Sequence, residues 1–313
     1  MQHEDTAYHI PVLLERSIEL LVTDPAGVYV DGTLGGGGHS RHLLSKLGEN
    51  SRVLGFDQDD DAVQNAKTLF ADDRRMTVVR SNIVHLSKVL HQYEIPLIDG
   101  ILLDLGVSSH QIDIPQRGFS FRFEGPLDMR MDRENTVTAA DIIAKSTEEE
   151  LADIFFTYGE ERNSRRIARA IVQARSKLPL SDTARFVEVI SAATSPVHRN
   201  KTLARIFQAL RIAVNDELQV LEETLAQAME ALRTGGHIVV ISYHSLEDRI
   251  VKQFLRHEAS SCVCPPRTPI CVCGKIKRIT LLHSKHIEAD ENEIRRNPRA
   301  RSARLRAGEK IHA

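Results

Sequence analysis

Apolar runs and polar stretches take turns along the first hundred residues of this 313-residue chain. The runs Gly27–Thr33, Arg52–Asp57, Met76–Arg80 and Ile98–Asp104 predict four strands. Helices are expected between them over His39–Leu47 and Asp60–Phe70. Regular strand–helix spacing predicts an α/β protein with a doubly wound, Rossmann-like sheet and a site along the carboxyl ends of its strands.

After Asp104 the rhythm changes. From about His110 to Lys201 no convincing strand pattern occurs, and helices are predicted over Glu148–Tyr158, Asn163–Ser176 and Asp182–Thr194. Thr202–Arg233 carries Leu203, Phe207, Leu210, Val214, Leu218, Leu221, Leu225, Met229 and Leu232 at spacings of three or four, which predicts one long amphipathic helix stopped by Gly235-Gly236. A fifth strand, His237–Ser242, follows. The expected organisation is therefore an α/β domain over residues 1–109 and 202–313, interrupted by a helical domain over residues 110–201.

Composition narrows the class. A hydrophobic content of 42% with 27% charged residues is ordinary for a globular protein, and no apolar run reaches the roughly 18 to 20 residues of a membrane span. With no signal-peptide pattern at the N-terminus, a cytoplasmic location is the default expectation. The net charge of −2 hides two basic stretches. Arg162, Arg165, Arg166, Arg169, Arg175 and Lys177 stand without an acid between Arg162 and Ser181, and Arg295, Arg296, Arg299, Arg301, Arg304, Arg306 and Lys310 stand against Glu309 alone. Stretches of this kind suit a phosphate-rich partner, although solvated element faces give the same pattern.

Candidate chemistry starts at the first strand. Asp31-Gly32-Thr33-Leu34-Gly35-Gly36-Gly37-Gly38-His39 is a glycine loop between a strand and a helix, where a cofactor can approach bare backbone. Asp57 ends the second strand, placed to bind a ribose hydroxyl pair. A dinucleotide would put its pyrophosphate on this loop, and Asp31 is a poor neighbour for phosphate. S-adenosylmethionine carries a sulfonium and an ammonium but no phosphate. The acids Asp31, Asp57 and Asp104 at three strand ends favour it over a pyridine dinucleotide, and so over an oxidoreductase.

Longer motifs then stand in order along the chain: His9-Ile10-Pro11-Val12-Leu13-Leu14, the DGTLGGGGHS loop, Leu102-Leu103-Asp104-Leu105-Gly106-Val107-Ser108-Ser109, RGFSFRFEGPLDMRMD (Arg117 to Asp132), YGEER (Tyr158 to Arg162), ISYHSLEDRIVK (Ile241 to Lys252) and NPRARSARLR (Asn297 to Arg306). By these motifs the chain resembles the RsmH (MraW) family of bacterial methyltransferases over nearly its whole length. The resemblance implies an S-adenosylmethionine-dependent methyltransferase domain with a helical insertion that helps bind substrate. It implies methylation of the 4-amino group of a decoding-site cytidine in small-subunit (16S) ribosomal RNA. The partner expected is that RNA within the small ribosomal subunit or a late precursor, and the sequence does not separate this from naked RNA. It also implies cofactor contacts at Gly37, Gly38, His39, Asp57, Asp104 and Gln111, with Ile83 at the position after strand three. For His39 a plain helix start, and for Gln111 a cap of the Ser108-Ser109 turn, are the structural alternatives.

The cytosine amino nitrogen donates its lone pair into the ring, so a catalyst must hold the amino hydrogens with acceptors. Asp104, with the Leu105 carbonyl, is the candidate, and His244 at the end of strand five is a further proton acceptor or else a helix cap. Where many amino-methyltransferases carry Asp/Asn-Pro-Pro-aromatic, this chain reads Asp104-Leu105-Gly106-Val107, so base stacking passes to Phe119 and Phe121 unless those rings are core. Arg162, Arg165, Arg166 and Arg169, with the C-terminal arginines, are expected on RNA phosphates around a flipped or unstacked cytidine. Cys262, Cys264, Cys271 and Cys273 are close enough for a structural zinc, but Cys-x-Cys strains closure where Cys-x-x-Cys is usual, so no metal is assigned. A non-catalytic RNA-binding or assembly factor on the same fold is the alternative function. The sequence leaves oligomeric state open, a homodimer included.

Overall fold

The computed structural model describes residues 11–265 and 270–312, so His9 and Ile10 of the first motif lie outside the described residues. The chain forms two compact units, one of residues up to Gly106 together with Leu218 onward, the other Val107–Glu217.

The first unit alternates α1 (Leu14–Leu21), β1 (Val28–Asp31), α2 (Gly38–Lys46), β2 (Arg52–Asp57), α3 (Asp60–Leu69), β3 (Met76–Arg80), α4 (Leu86–Gln92) and β4 (Ile98–Asp104). The second unit is helical, with α5 (Ser109–Asp113), α6 (Ala139–Lys145), α7 (Glu148–Thr157), α8 (Ser164–Arg175), α9 (Thr183–Ala192) and α10 (Arg199–Asn215). The sheet unit then resumes with α11 (Glu217–Ala231), β5 (Leu232–Ser242), α12 (Ser245–Glu258), β6 (Ile279–Leu281), α13 (Glu291–Arg296) and β7 (Arg304–Lys310).

The sheet order is β3-β2-β1-β4-β5-β7-β6. Strands β1 to β5 pair in parallel, and β7 runs antiparallel to both neighbours. The winding direction reverses at β1, which has β2 on one side and β4 on the other, so the carboxyl ends of β1, β2 and β4 surround a topological switch point. Strand β4 shows why the sequence read clearly there: Ile98–Leu103 is buried on both faces, as a central parallel strand must be, and the run ends in Asp104. Cores lie on the two faces of the sheet, one including Val30, Leu54, Phe56, Ile101 and Leu103, the other Tyr29, Val53, Leu102, Val239 and Ile241.

Two expectations need correction. The predicted helix Thr202–Arg233 is two helices, because Asp216 is left-handed (φ 49°) and ends α10. The apolar spacing runs through this joint without a break, which hid it, and a short polar side chain tolerates the left-handed conformation. Arg211 clasps the joint by donating from Nε and a terminal nitrogen to the two carboxylate oxygens of Glu217, both at 2.8 Å. Helix α10 packs on α6, α7 and α9, so the helical unit extends past residue 201 through Glu217.

The second correction concerns the C-terminal basic stretch. Its last part, read as a phosphate grip, is strand β7, with Leu305, Ala307 and Gly308 buried. Arg306 Nε donates to Asp248 Oδ1 at 2.7 Å, and Arg304 donates to Asp248 Oδ2 at 3.1 Å. The Lys310 ammonium is buried and donates to the carbonyls of Met229 and Leu232 at 2.7 and 2.6 Å, where α11 ends. Charges committed in this way build the sheet.

Candidate active site

The glycine loop is set by backbone geometry. Gly37 caps α2 with φ 75°, and a Cβ there would stand 2.8 Å from Leu69, so both conformation and space require glycine. Gly38 opens α2 against Pro11. The Gly35 amide donates to Asp57 Oδ2 at 2.8 Å, and the Asp59 amide donates to Asp57 Oδ1 at 2.8 Å. Asp57 is half-buried. Burial pushes its carboxyl up to about 6 against the pull of these two amides, and the nearby carboxylates of Asp59 and Asp31 add to the rise. Asp31 is fully buried, accepts from Ser40 Oγ at 2.7 Å, and is also lifted by burial.

Asp104 is the centre of the second group. Thr33 Oγ1, from the glycine loop, accepts from the Asp104 amide at 2.7 Å and so ties the end of β4 to the end of β1. The Asp104 carboxylate receives the Tyr243 hydroxyl on Oδ1 at 2.8 Å. His39 Nδ1 lies 3.5 Å from Oδ2. The other His39 nitrogen, Nε2, is 3.1 Å from the Val12 carbonyl, which can only accept, so Nε2 carries a proton. Burial, and then the Asp104 charge, hold the Tyr243 hydroxyl well above the ordinary phenol value, which keeps it a donor.

Sequence reasoning missed Tyr243. The available signal was register: Asp104 pairs with Ile241, so the residues just past β5 stand beside the end of β4. Its neighbour His244, the predicted proton acceptor, caps α12. His244 Nδ1 accepts from the Glu247 amide at 3.4 Å, and Glu247 returns to the Tyr243 and His244 amides at 2.8 and 3.3 Å. His244 Nε2 lies 3.1 Å from Glu247 Oε1. Ile83 starts the short helical turn after β3, and its side chain lies against Gly32 of the glycine loop.

The remaining predicted residues belong to the helical unit. Gln111 is buried and forms a reciprocal cap with Ser108: its amide donates to Ser108 Oγ at 3.1 Å, and its Oε1 accepts from the Ser108 amide at 3.0 Å. Phe119 is buried in the unit's core with the Arg117 guanidinium 5.7 Å over its ring. Phe121 meets Phe207 edge to face at 5.6 Å. The segment that carries them is rigid by construction. Arg117 is buried and donates to the carbonyls of Arg130 and Met131, and Gly118 (φ 71°) leaves room only for hydrogen, since a Cβ would stand 2.3 Å from the Pro126 oxygen. Arg162, Arg165, Arg166 and Arg169 are exposed at the start of α8, on the side away from buried Ile167, Ala168 and Ile171. Arg169 pairs with Glu148 at 3.2 Å.

A glycine loop and three strand-end carboxylates around a topological switch point have the layout of a nucleoside-cofactor site. A model of the MraW methylase family matches residues 6–311. This chain belongs to that family. It is 50% identical over 306 residues to the ribosomal RNA small subunit methyltransferase H of Carboxydothermus hydrogenoformans, covering 97% of this chain and 98% of that one. It is 48% identical over 311 residues to the protein of the same name from Bacteroides fragilis, covering 99% of this chain and all of the relative.

S-adenosylmethionine is the cofactor of this methylase, and the residues fit it. A half-buried carboxylate already lifted to about 6, with like charges around it, is relieved by hydroxyl donors and by a cation. Phosphate would add to the same repulsion. Asp57 would hold the ribose, the loop amides the carboxylate end, and the acids of β1 and β4 the cationic end. No described helix is long and apolar enough to cross a membrane.

Proposed function

We propose that this protein methylates the 4-amino group of a decoding-site cytidine in 16S ribosomal RNA, presented within the small ribosomal subunit or a late precursor. The observation that carries the reading is Asp104, held at the end of β4 by the Tyr243 hydroxyl and faced by His39. The near-half identity to relatives named small-subunit ribosomal RNA methyltransferases, over almost their full length, supports the substrate.

S-adenosylmethionine supplies an electrophilic methyl group. The residues of the chain prepare the nucleophile. Asp104 accepts an amino hydrogen of cytosine, which turns the nitrogen lone pair out of conjugation with the ring. Tyr243, donating to Oδ1, fixes the carboxylate plane. As the nitrogen gains its fourth bond, one N–H proton passes to Asp104, and His39 Nδ1 beside Oδ2 can take it onward. Nothing else need be created at the moment of reaction, so the gain comes from positioning and preset charge. Exposed arginines at the start of α8 hold flanking phosphates, and His244 serves as the cap that orients Tyr243 through Glu247.

The test is methyl transfer from labelled S-adenosylmethionine to small subunits from cells lacking this protein, with the nucleoside identified by mass spectrometry. Wild type should yield 4-methylcytidine, and Asp104→Ala should lose roughly 10² to 10³ in rate at saturating cofactor. Cofactor binding without methyl incorporation in wild type would favour the assembly-factor alternative. Another methylated nucleoside would overturn the cytidine assignment.

A further inference from the structure

The loop from Ala259 to Arg278 joins α12 to β6, and its described residues contain neither helix nor strand. Loops this long without structure of their own are uncommon in a compact domain. Its neck is closed: the Arg278 amide donates to the Glu258 carbonyl at 2.9 Å, and Lys275 Nζ donates to Glu258 Oε1 at 3.0 Å. Among the described residues its body has no apolar core. Val263, Ile270, Val272 and Ile276 are all exposed, Val272 at 82%. Something other than hydrophobic burial must therefore order it.

All four cysteines of the chain lie in this loop, and their sulfurs lie within 4.8 Å of one another. Cys271 Sγ is 3.5 Å from both Cys262 Sγ and Cys273 Sγ, and 3.9 Å from Cys264 Sγ. Cys273 Sγ is 3.9 Å from Cys262 Sγ. A zinc ion with Zn–S bonds of about 2.3 Å at the centre of a regular tetrahedron sets its sulfurs about 3.8 Å apart. The observed spacings bracket that value. Disulfide pairing would single out partners, whereas Cys271 stands equally close to two others. Amides also point at the sulfurs: Val263 N lies 3.4 Å from Cys273 Sγ, and Cys264 N lies 3.4 Å from Cys262 Sγ. Amide donors of this kind offset the negative charge of thiolates.

We propose that Cys262, Cys264, Cys271 and Cys273 bind one structural zinc ion that takes the place of a hydrophobic core for this loop. Each Cys-x-Cys pair contributes two of the four corners. Binding replaces four S–H protons by one metal ion, with the protons released to solvent. The site lies apart from the glycine loop and Asp104 in sequence, so its loss should leave cofactor binding in place.

The experiment is metal analysis of the full-length, untagged protein, with a cobalt-substituted sample for absorption spectroscopy. The expected result is about one zinc per chain, released by an organomercurial, and a cobalt spectrum of tetrahedral tetrathiolate type. Cys264→Ser with Cys271→Ser should abolish stoichiometric zinc while S-adenosylhomocysteine binding persists. Absence of zinc from protein with four titratable thiols would overturn the proposal. A disulfide in the freshly isolated chain, or an octahedral cobalt spectrum, would do so equally. If the double variant fails to fold, the wild-type cobalt spectrum decides.

Discussion

Two stretches of this chain carry almost the same density of positive charge and have opposite fates. At the start of α8, Arg162, Arg165, Arg166 and Arg169 stand in solvent. In β7, Arg304 and Arg306 close on Asp248, and Lys310 is buried under the carbonyl end of α11. Local context separates them. Around α8 the arginines fall between apolar residues at helical spacing, so one face is left entirely polar. In β7 the order Arg304-Leu305-Arg306-Ala307 alternates with period two, and a strand inside a sheet has little free surface to offer a ligand. A basic run is a candidate ligand surface only after its periodicity has been read.

The largest effect that can break this comparison is on stability. Asp248→Ala leaves two guanidinium groups without their carboxylate and should cost about 2 to 4 kcal/mol, read as a lower denaturant midpoint. Burial alone would lift Asp248, but Arg306 and Arg304 more than cancel it and hold the carboxyl below its usual value. Its contribution is therefore present above the ordinary Asp range and lost as pH falls through the folded-state value. By contrast, Arg165→Ala with Arg166→Ala should leave stability within about 0.5 kcal/mol. It should weaken RNA binding and flatten the salt dependence by roughly 0.7 to 0.9 in slope for each phosphate no longer neutralised. Equal RNA affinity in this double variant would remove the α8 face from the substrate path.

A smaller, sharper test concerns the acids. Asp57 lies near 6 in the free protein, above its unfolded value, so it favours the folded state below the ordinary Asp range and loses that contribution as pH rises through 6. Cofactor affinity should move the other way. Below about pH 6 the carboxylate protonates, and Kd for S-adenosylhomocysteine should rise by up to about tenfold per pH unit. Asp57→Asn should bind more weakly at pH 7.5 and lose this limb of the profile. A wild-type profile flat between pH 7.5 and 5 would remove Asp57 from the ribose site.

Much of the fold was legible because β1, β2 and β4 are apolar runs ending in acids, a pattern that parallel strands and their ligand edge both require. The joint at Asp216 was not, since helical spacing continues across it and a single backbone dihedral makes the break. Strand β7 was hidden by its own charge. At the site, Asp104 and Asp57 were proposed from strand ends, and the glycine loop from its run of glycines. Tyr243 needed pairing register, which depends on knowing that β4 and β5 are neighbours across more than a hundred intervening residues. Convergence of the four sulfurs depends likewise on a loop path that spacing does not encode.

The position of β7 also constrains how the molecule is made. It is the last strand in the described chain, yet it lies between β5 and β6 rather than at an edge. During synthesis the parallel strands can assemble as they emerge, but β5 keeps an unpaired edge until residues 304–310 arrive. That open edge is a template for pairing with other chains. Nascent protein should therefore stay dependent on chaperones, and vulnerable to proteolysis, until β7 is free to enter the sheet.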